Sequence, residues 1–307
     1  MIVGAKPEMF LPCALESIAR VCAHAIINDT SGEVQGANAI VIAQSAFARE
    51  AKLTVIRSTF SDFATARNAC IDATPAQFSN GWGLIVDADE VHGPALASMA
   101  ALLDRFPEGV DAVDGYLRHF VGSFSWWIDL NRTRCFFRLR PAVRWENRIH
   151  ERLAPISRRI ALPGVWFHYG HVITPREEAE KGRLYASLGQ PDPAPTEAQL
   201  QRASPATVWP LLLRKANRFT GSHPDAALPT IAAVSIERAA LFAEVDALAA
   251  QQTFSQRVRN ATRRVNSERL LLWRSLEAWL RWGWRSKAPS DASVATMRPQ
   301  LEQTKRT

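Results

Sequence analysis

Through the first ninety residues, short apolar runs alternate with longer stretches of helical spacing. Met1–Ala5 reads as a first strand. Pro7 suits the opening turn of a helix to about Val21, in which Leu11, Leu15, Ile18 and Val21 share a face. His24–Asn28 reads as a second strand, followed by the turn Asp29-Thr30-Ser31-Gly32. An Ala-rich helix is expected over about Gln35–Lys52, a third strand over Leu53–Arg57, and a helix over Phe63–Ala73 with Ser61 or Asp62 at its cap. Leu84, Ile85 and Val86 then read as the end of a fully buried strand, because continuous apolar runs mark strands covered on both faces. This alternation predicts an α/β fold with a parallel sheet and covering helices.

Beyond Glu90 the pattern predicts a helix over Pro94–Asp104 and strands over Ala112–Phe120 and Arg134–Leu139, with an aromatic loop, Gly122–Trp127, between them. Val143–Glu151 is dense in polar and aromatic groups. A last strand is expected over Gly164–His171 and a charged helix over Pro175–Ser187. From Gln190, the prolines at 191, 193, 195 and 205 mark a linker, with Ala-rich helical pieces following to about Ala250. Arg257–Arg285 reads as one long helix, and the polar residues from Ser286 as a disordered tail. The expected division is therefore 1–188, 189–250 and 251–307.

Composition changes this picture little; charge changes it more. Apolar residues make up 47% and charged residues 22%, as in ordinary globular chains. No apolar run reaches the roughly 18 residues of a membrane span. Lys6, Pro7 and Glu8 interrupt the first apolar stretch too early for a signal peptide. Both points argue for the cytoplasm. Cys13, Cys22, Cys70 and Cys135 are scattered and read as free thiols. Residues 1–251 hold 25 basic and 26 acidic groups, a net of −1, whereas residues 252–307 hold 12 and 4, a net of +8. A neutral body with a basic appendage is not a general nucleic-acid-binding surface.

The candidate chemistry centres on Asp87-Ala88-Asp89-Glu90, three carboxylates at the end of an apolar strand. Buried carboxylates are costly unless paired, hydrogen-bonded or on a metal, and ligands of open α/β sheets bind beyond the carboxyl ends of the strands. The alternative is an acidic turn or helix start, where Asp and Glu are favoured.

Ser61–Asn68, then Val86–Glu90, then Ile149-His150-Glu151 resemble, in order and spacing, a family 2 glycosyltransferase of the GT-A fold. The similarity covers about residues 1–188, and the branch resembled includes lipopolysaccharide core β-glucosyltransferases. It implies a Rossmann-like, mixed and mostly parallel sheet with flanking helices, plus a helical C-terminal extension outside the match. It also implies a metal-dependent inverting transfer of a hexose from a nucleotide sugar, most simply a UDP-sugar, to a cell-envelope or lipid-linked glycan acceptor. Asp87-Ala88-Asp89 matches the DxD motif, so Asp89 would ligate Mg²⁺ or Mn²⁺ and Asp87 would lie near the ribose or the metal. Glu90 would support them or face the sugar. Asp29 matches an acid contacting base or ribose, with a turn or cap aspartate as the alternative. Arg67 and Asn68 fall in the donor pocket, with a helix-capping arginine as the alternative.

Glu151 suits the base that takes the acceptor proton. It could instead pair with Arg144, Arg148 or Arg152, leaving Glu90 or another acid as the base; His150 would orient rather than react. His168, with His171 near it, could add a metal ligand or be structural. Trp126, Trp127 and Trp145 could stack on sugar rings or pack in a core or lid.

In the C-terminal helix, Arg263, Arg274, Arg281 and Arg285 form one stripe with Glu277. Val265, Leu272, Leu276, Trp279 and Leu280 form another, flanked by Trp273, Trp282 and Trp284. A basic, Trp-bearing amphipathic helix suits an anionic membrane surface and a peripheral location on the inner face of the plasma membrane. Packing on its own domain or on a second subunit is the alternative. Two other functions stay open: a sugar nucleotidyltransferase, for which Gly4-Ala5-Lys6-Pro7 is a poor phosphate loop, and a non-catalytic membrane-bound scaffold.

Overall fold

The computed structural model describes residues 1–33 and 35–284. The chain is a mixed α/β protein with a helical C-terminal region. Strands β1 (Ile2–Val3), β2 (Ala25–Asp29) and β3 (Leu53–Arg57) form a small parallel sheet. Helices α1 (Leu11–Ile18), α2 (Ala37–Ala43), α3 (Ala46–Arg49) and α4 (Phe63–Asp72) connect them and lead on from β3. The single helix expected over 35–52 is split because the Ser45 side chain caps α3, accepting from Ala48 N. Of the two residues expected at the cap of α4, Asp62 fills it.

The acidic strand differs from expectation. β4 (Trp82–Leu84) stops before the carboxylates and pairs antiparallel with a later strand rather than joining the parallel sheet. Its residues are half-buried, not fully buried. A cavity of about 390 Å³ lies between β2 and β4, lined among others by Ile27, Cys70, Trp82, Val86, Arg67 and Trp145.

The larger sheet is mixed, with mainly antiparallel pairings. β5 (Glu90–His92) is followed by α5 (Ala95–Ala100), β6 (Ala112–Val121) and β7 (Ser123–Arg138). β8 (Arg144–Glu146) and β9 (Arg152–Ala154) form a separate hairpin, and β10 (Arg159–His171) returns to the sheet. The order is β11-β7-β6-β10-β5, where β11 is Asn217–Arg218 and only β6 and β10 run parallel. The expected mostly parallel sheet is thus confined to β1–β3. The expected aromatic loop is the start of β7: Gly122 turns the chain at φ +67°, and Val121 pairs with Ser123.

α6 (Pro175–Ser187) carries the capping box Thr174–Glu177. The short helices α7 (Glu197–Gln201), α8 (Pro205–Val208) and α9 (Pro210–Lys215) precede β11, and α10 (Leu228–Glu237) and α11 (Ala239–Ala250) follow it. The helical pieces expected after Pro205 pack on the larger sheet. Trp209, Leu213, Val245 and Ala249 are buried with Val121 and Ile128 of the β6–β7 hairpin.

α12 (Phe254–Trp282) lies against β10 and buries Leu271 with Tyr116 and Val165. Trp282 and Trp284 are packed inward, Trp282 edge-on to Phe106 at 4.9 Å, so neither flanks an exposed stripe. Arg274 does not present a free charge either: it is half-buried and bonds Glu277 at 2.6 Å. Arg285 and the tail expected to be disordered lie outside the described residues. Among the described residues all four cysteines are free, and no single helix is long and apolar enough to cross a membrane.

Candidate functional site

Arg67 is the point where the separated motifs meet. It leaves α4 and is 12% exposed; its Nη2 donates to Asp87 Oδ1 at 2.8 Å and its Nε to Glu151 Oε1 at 2.6 Å. One guanidinium thus bridges two carboxylates, the geometry its fork of donors favours. Burial works against its charge, but Asp87 and Glu151 outweigh this and hold it charged. Its cation lies 5.0 Å above the Trp145 ring.

The surrounding backbone places Arg67 there. Asn28 donates to Ala66 O at 3.0 Å and pins α4 to β2. Asn68 clamps the Trp145 backbone through both amide ends, at 2.8 and 3.0 Å. Asn68 therefore holds β8 in place rather than facing outward. Residues 147–150 turn sharply, with Asn147 at φ +72° and His150 at φ +52°, and Arg148 O accepts from Phe63 N at the start of α4. Glu151 follows this turn into the site. His150 is exposed, and its ring lies 6.4 Å from that of Tyr185.

Asp89 and Glu90 are neighbours with opposite proton affinities. His168 Nε2 lies 3.4 Å from Asp89 Oδ2. Burial raises the Asp89 pKa, but the charge and hydrogen bond of His168 outweigh it and hold the carboxyl below the usual range. Asp89 Oδ1 is buried with no partner among the described residues. Gly170 permits this approach, because a Cβ there would overlap Asp89 Oδ2 and the His168 ring. Glu90 is 7% exposed; burial first, then the charges of Asp87 and Asp89, push it up to about 8. It accepts from Asp87 N at 3.2 Å.

Because the ordinary value for Glu90 is 4.5, the unfolded chain ionises first as pH rises. Metal-free protein should therefore lose stability between about pH 4.5 and 8, and Glu90→Gln should remove much of that loss. Unfolding midpoints in chelator at about pH 5 and about pH 8.5 check this; parallel pH trends for variant and parent would refute it.

Four participants escaped the sequence reading. Glu8 is pushed up to about 7 by burial, then by Asp89. It is placed by Asn38, which accepts from Glu8 N at 2.8 Å and donates to Gly4 O and Lys6 O. Lys181 and Tyr185 come from one face of α6, at helical i, i+4 spacing, the one signal that could have flagged them. Burial lowers the Lys181 pKa, but Tyr185, Asp89, Glu178 and Asp87 outweigh it and keep the ammonium charged. Burial, and then the charges of Asp89, Asp87 and Glu151 against that of Lys181, raise the Tyr185 phenol. His119 stands beside His168, ring nitrogens 3.0 Å apart.

Asp29 and the three tryptophans complete the expected residues. Asp29 is buried at the end of β2, and its carboxylate accepts from Ser31 N at 3.0 Å, a turn-forming role. Trp127 is 5% exposed in an aromatic core, with Arg118 4.9 Å from its ring. Trp126 donates to Asp246 of α11 at 2.7 Å. Neither tryptophan joins the carboxylate cluster; both brace the β6–β7 hairpin against aromatic or helical neighbours. Trp145 alone of the three reaches the site, with Arg67 over its ring.

The arrangement offers oxygen donors for a hard divalent cation: the unpartnered Asp89 Oδ1 and the Asp87 carboxylate, 40% exposed beside Arg67. It also holds two cations, Arg67 and Lys181, that could meet an anionic ligand. No protein-family model matches the chain, and no curated protein matches it.

Proposed function

We propose that this chain is an inverting glycosyltransferase of the GT-A, family 2 type, moving a hexose from a nucleotide sugar, a UDP-sugar in the simplest case, to a hydroxyl of a cell-envelope or lipid-linked glycan. The observation that carries the reading is the Arg67 bridge. Residues 67, 87 and 151 come from three separate motifs, and one guanidinium binds both acids. Asp89 and Asp87 would hold Mg²⁺ or Mn²⁺, whose charge when bound stabilises a departing diphosphate. Lys181, kept charged beside Asp89, adds a second positive group for the same phosphates. Glu151 takes the proton from the attacking acceptor hydroxyl, and the anomeric centre inverts to a β-linkage. Glu90 accepts from Asp87 N at 3.2 Å and buttresses the Asp87 backbone rather than acting as the base. Trp145 forms a wall beneath Arg67.

The test is release of nucleoside diphosphate from a panel of nucleotide sugars with Mn²⁺ or Mg²⁺. No release from any of them would favour a non-catalytic scaffold. Pyrophosphate from a sugar phosphate and a nucleoside triphosphate would favour a nucleotidyltransferase. Lys6, the lysine that alternative would need at its phosphate loop, is instead paired with Glu177 of α6 at 2.7 Å.

The acceptor class is supported by α12. Its outer face exposes Val258, Val265, Leu272, Trp273, Trp279 and Leu280, at 44–68%. Exposed Arg257, Arg259, Arg263, Arg269 and Arg281 accompany them. Such a face suits anionic lipid headgroups. Replacing Trp273, Trp279 and Leu280 by serine should lower flotation with anionic liposomes about tenfold or more without unfolding the chain, since these side chains already face solvent. Equal flotation of variant and parent would exclude this face as the contact.

A further inference from the structure

β-register, not sequence proximity, assembles a group of histidines behind the carboxylates. His168 of β10 pairs with His119 of β6 on one side and with Glu90 of β5 on the other, so the three occupy one row across the sheet. Paired residues project to the same face. His171 joins them where the register shifts, its ring 5.8 Å from that of His168. His119, His168 and His171 each offer a nitrogen within 4.8 Å of the others.

The partners on the remaining nitrogens are informative. His171 Nδ1 lies 3.0 Å from both oxygens of Glu178, and His168 Nε2 lies 3.4 Å from Asp89 Oδ2. With the N–H at those positions, the lone pairs of His171 Nε2 and His168 Nδ1 are left for another partner. His168 Nδ1 faces His119 Nδ1 at 3.0 Å, a separation that two nitrogens on one ion can also take. Carboxylates behind ligating imidazoles orient the rings and raise their basicity. Asp89 and Glu178 bring two negative charges against the one ammonium of Lys181, so added positive charge here is favourable.

We propose that His119, His168 and His171 form a transition-metal site, oriented by Asp89 and Glu178, for a borderline divalent ion such as Zn²⁺ or Co²⁺ rather than Mg²⁺. Imidazole nitrogen selects such ions, whereas Mg²⁺ selects oxygen. Three histidines leave a further coordination position open, as at catalytic zinc sites. The site is separate from the Asp87–Asp89 cation position of the proposed transferase: Asp89 Oδ2 serves His168, and Oδ1 remains. It does not depend on sugar transfer being the activity.

Co²⁺ titration of the full chain tests it, read by calorimetry and by visible absorption. With excess Mg²⁺ present throughout to fill the Asp87–Asp89 oxygen position, the expected result is one Co²⁺ per chain, imidazole-ligated and displaced by Zn²⁺. Glu178→Gln should weaken binding about 10–100-fold, as loss of an orienting carboxylate does elsewhere. His119→Ala with His171→Ala should abolish it, with circular dichroism confirming that the variant is folded. Asp87→Asn should leave it intact. No stoichiometric Co²⁺ binding by the parent chain would overturn the proposal. So would Co²⁺ binding that survives the double histidine change or is lost with Asp87→Asn. Because the readout is metal alone, failure here leaves the transferase reading standing, and absence of sugar transfer leaves this site standing.

Discussion

Arg67→Met is expected to lower stability by about 3–5 kcal/mol, the cost of removing one partner of a buried ion pair, and to abolish sugar transfer. The methionine fills similar space but leaves Glu151, 14% exposed, without its cation and close to Asp87. Asp87 is 40% exposed, so most of the loss falls on Glu151. Thermal unfolding should drop on the order of 10 °C. Arg67→Lys should rescue little, because one ammonium cannot span both acids with the directed geometry of a guanidinium. Arg67→Met combined with Glu151→Gln should regain part of the stability without regaining activity, since the unpaired charge is then gone. A single Arg67→Met variant as stable as the parent would show that the bridge is not a structural centre.

Glu151→Gln is expected to reduce kcat by about 10²–10⁴-fold, the range for loss of a positioned general base, with a nearly unchanged donor KM. Gln keeps an oxygen that can accept from Arg67 Nε, so the fold at residues 147–151 should hold. Thermal midpoints of variant and parent should therefore agree within a few degrees. The contrast with Arg67→Met separates the two roles: one removes a proton acceptor, the other removes what positions it. Retained kcat in Glu151→Gln would move the base elsewhere. Glu8 is then the next acid to examine, because burial and Asp89 push it up to about 7, near a working pH for proton transfer.

What was legible in sequence was local. Asp62 before Phe63 predicted the start of α4, because a cap needs only its own turn. The charged helix expected over Pro175–Ser187 is α6 with those bounds. Asp87, Asp89 and Glu90 are adjacent in the chain, so their clustering was certain before any fold was known. The spacing of Arg67, Asp87 and Glu151 was a pattern without a contact; the two hydrogen bonds of Arg67 are tertiary. The aromatic segment after Gly122 was misleading. Its tryptophans suit a binding loop or a strand equally, and only pairing with β6 and cover from α11 decide between them.

By itself, then, the sequence determined the alternating α/β elements of the N-terminal half, the caps, the carboxylate cluster and the basic amphipathic character of the last helix, because each depends on residues within a few positions of one another. Only the tertiary structure decided that β4 pairs with β7, that Glu8, Lys181 and Tyr185 surround the carboxylates, and that Trp282 and Trp284 face inward while Trp273 and Trp279 do not. It also decided that His119 stands across from His168. That row exists in one register of β6 against β10, and a slip by a single residue would turn the two rings to opposite faces of the sheet. Register follows from burial summed over the whole sheet, which no short stretch of sequence contains.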